Sequence, residues 1–473
     1  MKLRILILIL PFLVSKGLGQ NISKASKILD NIEKIKIRDM GAIKENYIVK
    51  GYYVFYQHDI VDKHRSLFRL TLWDENLNDI GTKDIEGPDD WQLLNGVYDG
   101  EKFCFKFYDP SVDTFELKVF DIQANELVGN NITINYNPHN HSSTDESDGN
   151  TLTPGINVVD NNGFLSYAFC DSKDEFIISY ENGTAKKSWQ TTYEPVLKNY
   201  PYLNFLGGNS EMLLTQTCEY DKGKMYHYGI LANDIKNGNL LFNISTDFDS
   251  NYIMPKAAVF KNDKINLIGF NLKLSKDNER VLDGFAFIEL DKKGKVLSTR
   301  ITSFRESISK YMPITTRQLN SISISTNILL TKNNTMLVVV ENVLLAPNNS
   351  IDHKNMLVME FDQNGNVLQS KELPKLDEDW AKHPASPIIT LRNEDNSQVS
   401  FGFRDYGKMD ENSHKTSFYI QAKYDNGRID IDKIPIADED NTDIFPSKPG
   451  SIFEIEYHPK EKDLSMDIIK LNN

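Results

Sequence analysis

One local event repeats seven times along the chain. A run of alternating apolar residues ends at an acidic residue, passes through a short turn rich in Asn and Gly, and resumes as a second alternating run. The anchoring acids are Asp74, Asp121, Glu181, Asp234, Asp291, Asp362 and Asp425, spaced 47, 60, 53, 57, 71 and 63 residues apart. A four-stranded sheet with its loops takes about 40–50 residues in radial repeat architectures, so the spacing assigns one sheet to each hairpin. The expected fold is all-β, a single β-propeller of seven four-stranded blades. Rings of this kind serve enzymes, receptors and scaffolds alike, so the architecture leaves the chemistry open.

Short hairpin turns need positive φ at one or two positions, which Gly and, less readily, Asn or Asp accept. Gly183, Gly238, Gly294, Gly365 and Gly427 stand at such positions. A further apolar run precedes each hairpin, for example GYYVFYQ at 51–57, KFCFKFY at 102–108, EMLLTQT at 211–217 and TMLVVVE at 335–341. A weaker strand before it, such as WQLLNGV at 91–97 or PIITLR at 387–392, brings each unit to four strands. No Pro- or Gly-rich linker divides the 473 residues, and a radial repeat needs none, because each sheet covers the faces of its neighbours. Residues 35–473 therefore read as one propeller, preceded by a polar segment at 20–34. Two apolar runs follow the seventh hairpin, SIFEIEY at 451–457 and LSMDIIKL at 464–471. They are expected to pair with the N-terminal unit and seal the ring. An eighth blade built from both termini is the alternative.

Residues 1–19 have the form of a signal peptide: Lys2 and Arg4, a ten-residue apolar stretch from Ile5 to Val14, then Gly17-Leu18-Gly19 ahead of Gln20. The stretch is short for a membrane span, and no later segment approaches the roughly 20 apolar residues that a membrane helix requires. The mature chain is expected to be exported, periplasmic or secreted, with no transmembrane helix. Removing residues 1–19 deletes Lys2, Arg4 and Lys16 and no acid, taking the formal charge of -14 three further to -17. Such a balance argues against nucleic acid and anionic membrane surfaces as partners.

The three cysteines, Cys104, Cys170 and Cys218, lie in or at the end of equivalent apolar runs of consecutive units. Equivalent positions in adjacent blades are usually too far apart for a disulfide, and no C-x-x-C or neighbouring His suggests a metal, so all three read as small buried hydrophobes. His139 and His141, with Asp145, Glu146 and Asp148 behind them, form a His-x-His group in a polar insertion whose composition is that of a solvated loop. Asp438, Asp440 and Asp443 resemble a calcium loop but lack its sixth-position Gly and closing Glu. No metal site and no cofactor is assigned.

Two segments place acids directly before a Trp: GPDDWQLL, with Asp89, Asp90 and Trp91, and LDEDWAKHP, with Asp379, Trp380 and His383. Both occupy the connection from one unit's outer strand to the next unit's inner strand, so they are expected on one face of the ring. Acids beside exposed aromatics suit capture of a protein or glycan, and a carboxylate pair at the right separation suits glycoside hydrolysis. The competing reading makes each Trp a wedge between sheets, with its acids solvating the turn. No G-x-S-x-G, H-E-x-x-H, G-x-x-x-x-G-K-[ST] or C-x-x-C occurs. Nor does any unit meet the S-x-D-x-G-x-x-[TW] order of sialidase Asp-box turns.

The first unit, KGYYVFYQHDIVDKHRSLFRLTLWDENLNDI at 50–80, together with the D-x-x-G-x-V-L turns at Asp291 and Asp362, resembles exported proteins of Bacteroidetes-type bacteria that form an uncharacterised domain family. The resemblance implies an envelope or secreted location and carries no functional residue over. Two classes of function remain: a non-catalytic binding or scaffolding propeller, and a polysaccharide hydrolase or lyase that uses carboxylates at the channel mouth. Absence of a catalytic constellation favours the first.

Overall fold

A computed structural model describes residues 24–470 except 46, 113, 128–132, 136–154, 160–162, 171–174, 183–187, 197–198, 222–224, 249–250, 275–279, 304–321, 334, 346–350, 363–364, 374–388, 394, 407–416 and 437–441. The strands follow one another as antiparallel meanders, which we number as modules along the chain: 37–88, 92–135, 156–193, 199–245, 247–303, 322–373 and 389–436. Modules one and two share an eight-stranded sheet through a single parallel bridge, Lys44 to Val97. A further four-stranded sheet is made from both ends of the chain: Thr442–Pro446, Ser451–His458 and Asp463–Lys470, with Lys24–Leu29 as its fourth strand. The C-terminal strands thus make their own sheet instead of extending that of the first module. The segment at 20–34, expected to precede the propeller, contributes a strand to it.

The alternation of side chains on a strand explains why these runs are apolar throughout. Successive side chains point to opposite faces, and here both faces are covered. In Ile48–Ile60, Tyr53 and Phe55 pack toward module two, while Tyr52 and Val54 pack toward Phe453 and Met466 of the closing sheet. In Met212–Asp221, Leu213 joins Ile178 of module three, while Met212 and Leu214 join Ile265 and Ile288 of module five. Leu337 and Val339 likewise face module seven, and Met336 and Val338 face module five. Each core therefore lies between consecutive modules, and the series returns through Tyr419 and Ile452 to the closing sheet. One strand of each module runs beside that of the next, from Ile37–Glu45 through Gln92–Tyr98, Ile156–Val159, Asn199–Gly208 and Asn251–Lys261 to Ile322–Leu330, and again from Ile389–Arg392 through Thr442–Pro446 back to Ile37–Glu45; all are first strands except Asn251–Lys261, which follows the short strand Asp247–Phe248. This is the arrangement of a β-propeller.

Five of the recurrent acids, Asp74, Asp121, Asp234, Asp291 and Asp362, lock their turns. In the turn after Asp74, its Oδ1 accepts the backbone N–H groups of Asn76 and Asn78, each at 2.8 Å, and its Oδ2 accepts the Asn78 side-chain amide at 2.8 Å. Asp121 repeats this with Gln123 and Asn125, and Asp291 accepts the N–H groups of Lys293 and Lys295. The Lys295 N–H, followed by that of Lys293, holds the Asp291 carboxyl below the usual carboxylate range. The residue three after the acid donates back to its carbonyl and has positive φ: Leu77, Ala124, Gly294 and Gly365. What occupies that position depends on the preceding module. A Cβ on Gly294 would lie 2.7 Å from the Phe242 ring, and one on Gly365 would lie 2.3 Å from Phe287. Ala124 is accommodated because it faces Gly81, where an added Cβ would meet its own at 3.0 Å.

Gly427, with φ of 90°, has nothing within 4 Å of a Cβ and isolates the backbone cost. Gly427→Ala is expected to lower stability by about 1–2 kcal/mol. Gly294→Ala is expected to cost about 1–3 kcal/mol more, because its methyl collides with a packed ring. Equal losses in chemical denaturation would refute the role assigned to Phe242.

Candidate functional site

The residues singled out in GPDDWQLL lie in the crossover between Asp79–Pro88 and Gln92–Tyr98, at the junction of modules one and two. Asp89 pins that crossover. Its Oδ1 accepts the Ser66 hydroxyl and, at 3.2 Å, the Gln57 amide; its N–H donates to the His64 carbonyl at 3.2 Å, and its carbonyl accepts Arg38 Nη2 at 3.1 Å. Asp90 is exposed. Of the two readings of Trp91, exposed platform or wedge between sheets, the structure has the wedge: the residue is only 3% exposed. It stacks on Phe107 with centroids 4.3 Å apart and meets Phe55 edge-on, while its benzo edge lies so close to Gly87 that a Cβ there would fall 2.3 Å from Cε3. Burying an indole between two sheets removes a large apolar area from water, which is why it wedges inward. Asp379, Trp380 and His383 lie outside the described residues, as do His139, His141, Asp438 and Asp440; Asp443 is exposed on Thr442–Pro446.

Trp91 forms part of the wall of an open cleft of about 310 Å³. Glu86 and Pro88, at the end of the outer strand of module one, form one side; Asp109, Glu116 and Lys118 of module two form the other. Lys118 Nζ stands 3.1 Å from Glu116, 3.2 Å from Glu126 and 5.8 Å from the Trp91 ring centroid. Glu86 pairs with Arg65, and Asp109 Oδ1 accepts the Ser111 N–H at 2.9 Å and hydroxyl at 2.6 Å. Among the described residues, the Trp91 indole N–H has no acceptor, and it is absent from the water-excluded unsatisfied groups, so it keeps contact with solvent. Sequence reasoning missed Glu86, Asp109, Glu116 and Lys118. The available signal was TFELKVF, where two charges two residues apart fall on one face of an otherwise apolar strand.

The chain matches a family described as a family of unknown function (DUF6770), over residues 1–342 and 387–472. It belongs to that family. No curated protein matches this DUF6770 member. Solved structures similar to it include the β-propeller domain of the Trilobed protease from Pyrococcus furiosus, at 9% identity and a TM-score of 0.40, covering 86% of this chain and 96% of that one. Another is the WD40 domain of SCAP from fission yeast, at 8% identity and a TM-score of 0.35, covering 94% and 95%. A third is prolyl oligopeptidase B from Galerina marginata, at 9% identity and a TM-score of 0.46; the match covers 91% of this chain and 55% of that one, so the chain spans about half of that enzyme.

Elsewhere in this DUF6770 member, among the described residues, no group of three or more His, Cys, Asp or Glu side chains could hold a metal ion, and no helix is long and apolar enough to cross a membrane. Cys104 and Cys218 are buried thiols; burial pushes that of Cys104 well up, which makes it unreactive. Burial raises Asp39 to about 6, against the opposing hydrogen bond from the Tyr53 hydroxyl at 2.5 Å. Lys106 is fully buried between modules two and three, 3.0 Å from the Ser166 hydroxyl and 4.3 Å from the Phe115 ring centroid.

Burial lowers Lys106 to about 7. The unfolded chain keeps its lysine protonated up to the ordinary range near 10.4, so between these values it binds more protons than the folded chain and stability rises with pH. Lys106→Met removes that dependence. It is expected to stabilise the protein by a few kcal/mol below pH 7, an advantage that shrinks as pH rises toward the unfolded value. Denaturation across this range checks it; a pH-independent difference would contradict it.

Proposed function

We propose that this protein is an exported, eight-bladed propeller that binds a ligand without transforming it, at the cleft between modules one and two. Seven blades correspond to the seven meanders, and the eighth to the sheet assembled from both termini. Export rests on the charged and apolar pattern of residues 1–19. The observation that carries the binding reading is the cleft itself, where the Trp91 ring and carboxylates from two modules line about 310 Å³. That volume is at the lower end of sites for small ligands or side chains. The net charge of -14 keeps nucleic acid outside the proposal.

Two experiments test it. N-terminal sequencing of the protein recovered from fractionated native cells should begin near Gln20 and away from the cytoplasm; an intact Met1 in the cytoplasmic fraction would contradict export. For the cleft, a panel of cationic, anionic and neutral peptides and oligosaccharides is titrated calorimetrically, and the ligands are then analysed for cleavage. At least one should bind, be recovered intact, and lose binding with Thr114→Trp, which fills the cleft from its wall. Released fragments, or binding indifferent to Thr114→Trp, would refute the reading.

A further inference from the structure

Resting on that reading, we propose that the occupant of the cleft is an extended peptide segment carrying a lysine or arginine side chain. Trp91 withholds a ring face and offers an N–H donor. Aromatic recognition of a sugar ring needs a free ring face, but Trp91 is stacked on Phe107, flanked by Phe55 and Phe68, and approached by Lys118. What it offers is one N–H donor in a residue 97% buried, with no acceptor among the described residues. A ligand that displaces water from this donor must itself supply an acceptor, or the donor is left unpaired at a cost. A peptide carbonyl is an acceptor of the right kind.

Charge selects the side chain. Glu86, Asp109, Glu116 and Glu126 contribute four negative charges in and beside the cleft, against Arg65 and Lys118, which leaves an excess of two. An ammonium or guanidinium is drawn to that excess and an acidic ligand is repelled. The cleft is also bordered by the last residues of Asp79–Pro88, the outer edge strand of its sheet. Edge strands carry unpaired main-chain groups to which an extended chain can add. A volume of about 310 Å³, open on one side, suits one long side chain with its flanking peptide groups and leaves the rest of the segment outside.

The test titrates three probes into the full-length mature protein: a blocked hexapeptide of alternating lysine and threonine, its glutamate counterpart, and a neutral hexasaccharide. The lysine peptide should bind at least about tenfold more tightly than either of the others, and raised salt should weaken it. Asp109→Asn combined with Glu116→Gln should weaken it by about tenfold. Trp91→Phe, which keeps an aromatic ring and deletes the N–H, should weaken it by about three- to tenfold. Should Trp91→Phe unfold, the indole N–H resonance of the unsubstituted protein supplies the readout, and it should move downfield on addition of the lysine peptide. Equal affinity for the lysine and glutamate peptides, or an indole resonance that does not move, would overturn the inference. Binding of the glutamate peptide or the hexasaccharide alone, lost with Thr114→Trp, would overturn it while leaving the binding reading intact. Failure of all probes at the cleft would count against both.

Discussion

A β-sheet whose two faces are both apolar cannot end in water; each face needs another sheet against it, and a row of such sheets has two uncovered faces until it closes on itself. Every module here is of that type. Tyr52 and Tyr53, adjacent in sequence, are buried against different neighbours, as are Leu213 and Leu214, and Leu337 and Val338. The last uncovered faces are those of module one, toward Tyr52, and module seven, toward Tyr419, and the sheet built from both termini covers them. Its fourth strand, Lys24–Leu29, pairs along its length with Leu464–Ile469 and is tied to module one by Lys27 and Asp79 at 2.7 Å. The sheet that covers both faces therefore combines a six-residue strand from one extreme of the chain with three strands from the other.

The same requirement shapes the junction of modules one and two. Filling the space between their sheets takes Trp91, and admitting its ring takes Gly87, since any side chain there would occupy the position of the indole. The wedge forms part of the wall of an opening lined by charged side chains of the two flanking modules. A packing solution thereby leaves a polar recess, with rigid sheets on either side to hold it.

Much of this architecture is legible in the chain. The seven acids mark the turn into the last strand of each module, and at Asp74, Asp121, Asp234, Asp291 and Asp362 the acid itself accepts backbone N–H groups of that turn. The sheet built from both termini left no such mark, because its third and fourth strands are Asp463–Lys470 and Lys24–Leu29 and no hairpin joins them. Leu77 and Ala124 hold positive φ, a conformation that Gly, Asn or Asp adopts more readily, so the acid was the better guide to those turns. The site was less legible. Trp91 beside two acids can be read as platform or wedge, and Gly87, which decides for the wedge, says nothing until the fold brings it under the ring. Glu86, Asp109 and Lys118 come from three different strands, and their convergence is a property of the junction between sheets.

Hydrogen exchange on a chain lacking Lys24–Leu29, compared residue by residue with the full-length protein, tests the closure most directly. The account predicts loss of protection throughout Asp463–Lys470 and Ser451–His458, spreading to Tyr52 and Val54 of module one, with a lowered melting temperature. Unchanged protection in those strands would show that the ring does not depend on its N-terminal strand and would contradict the account.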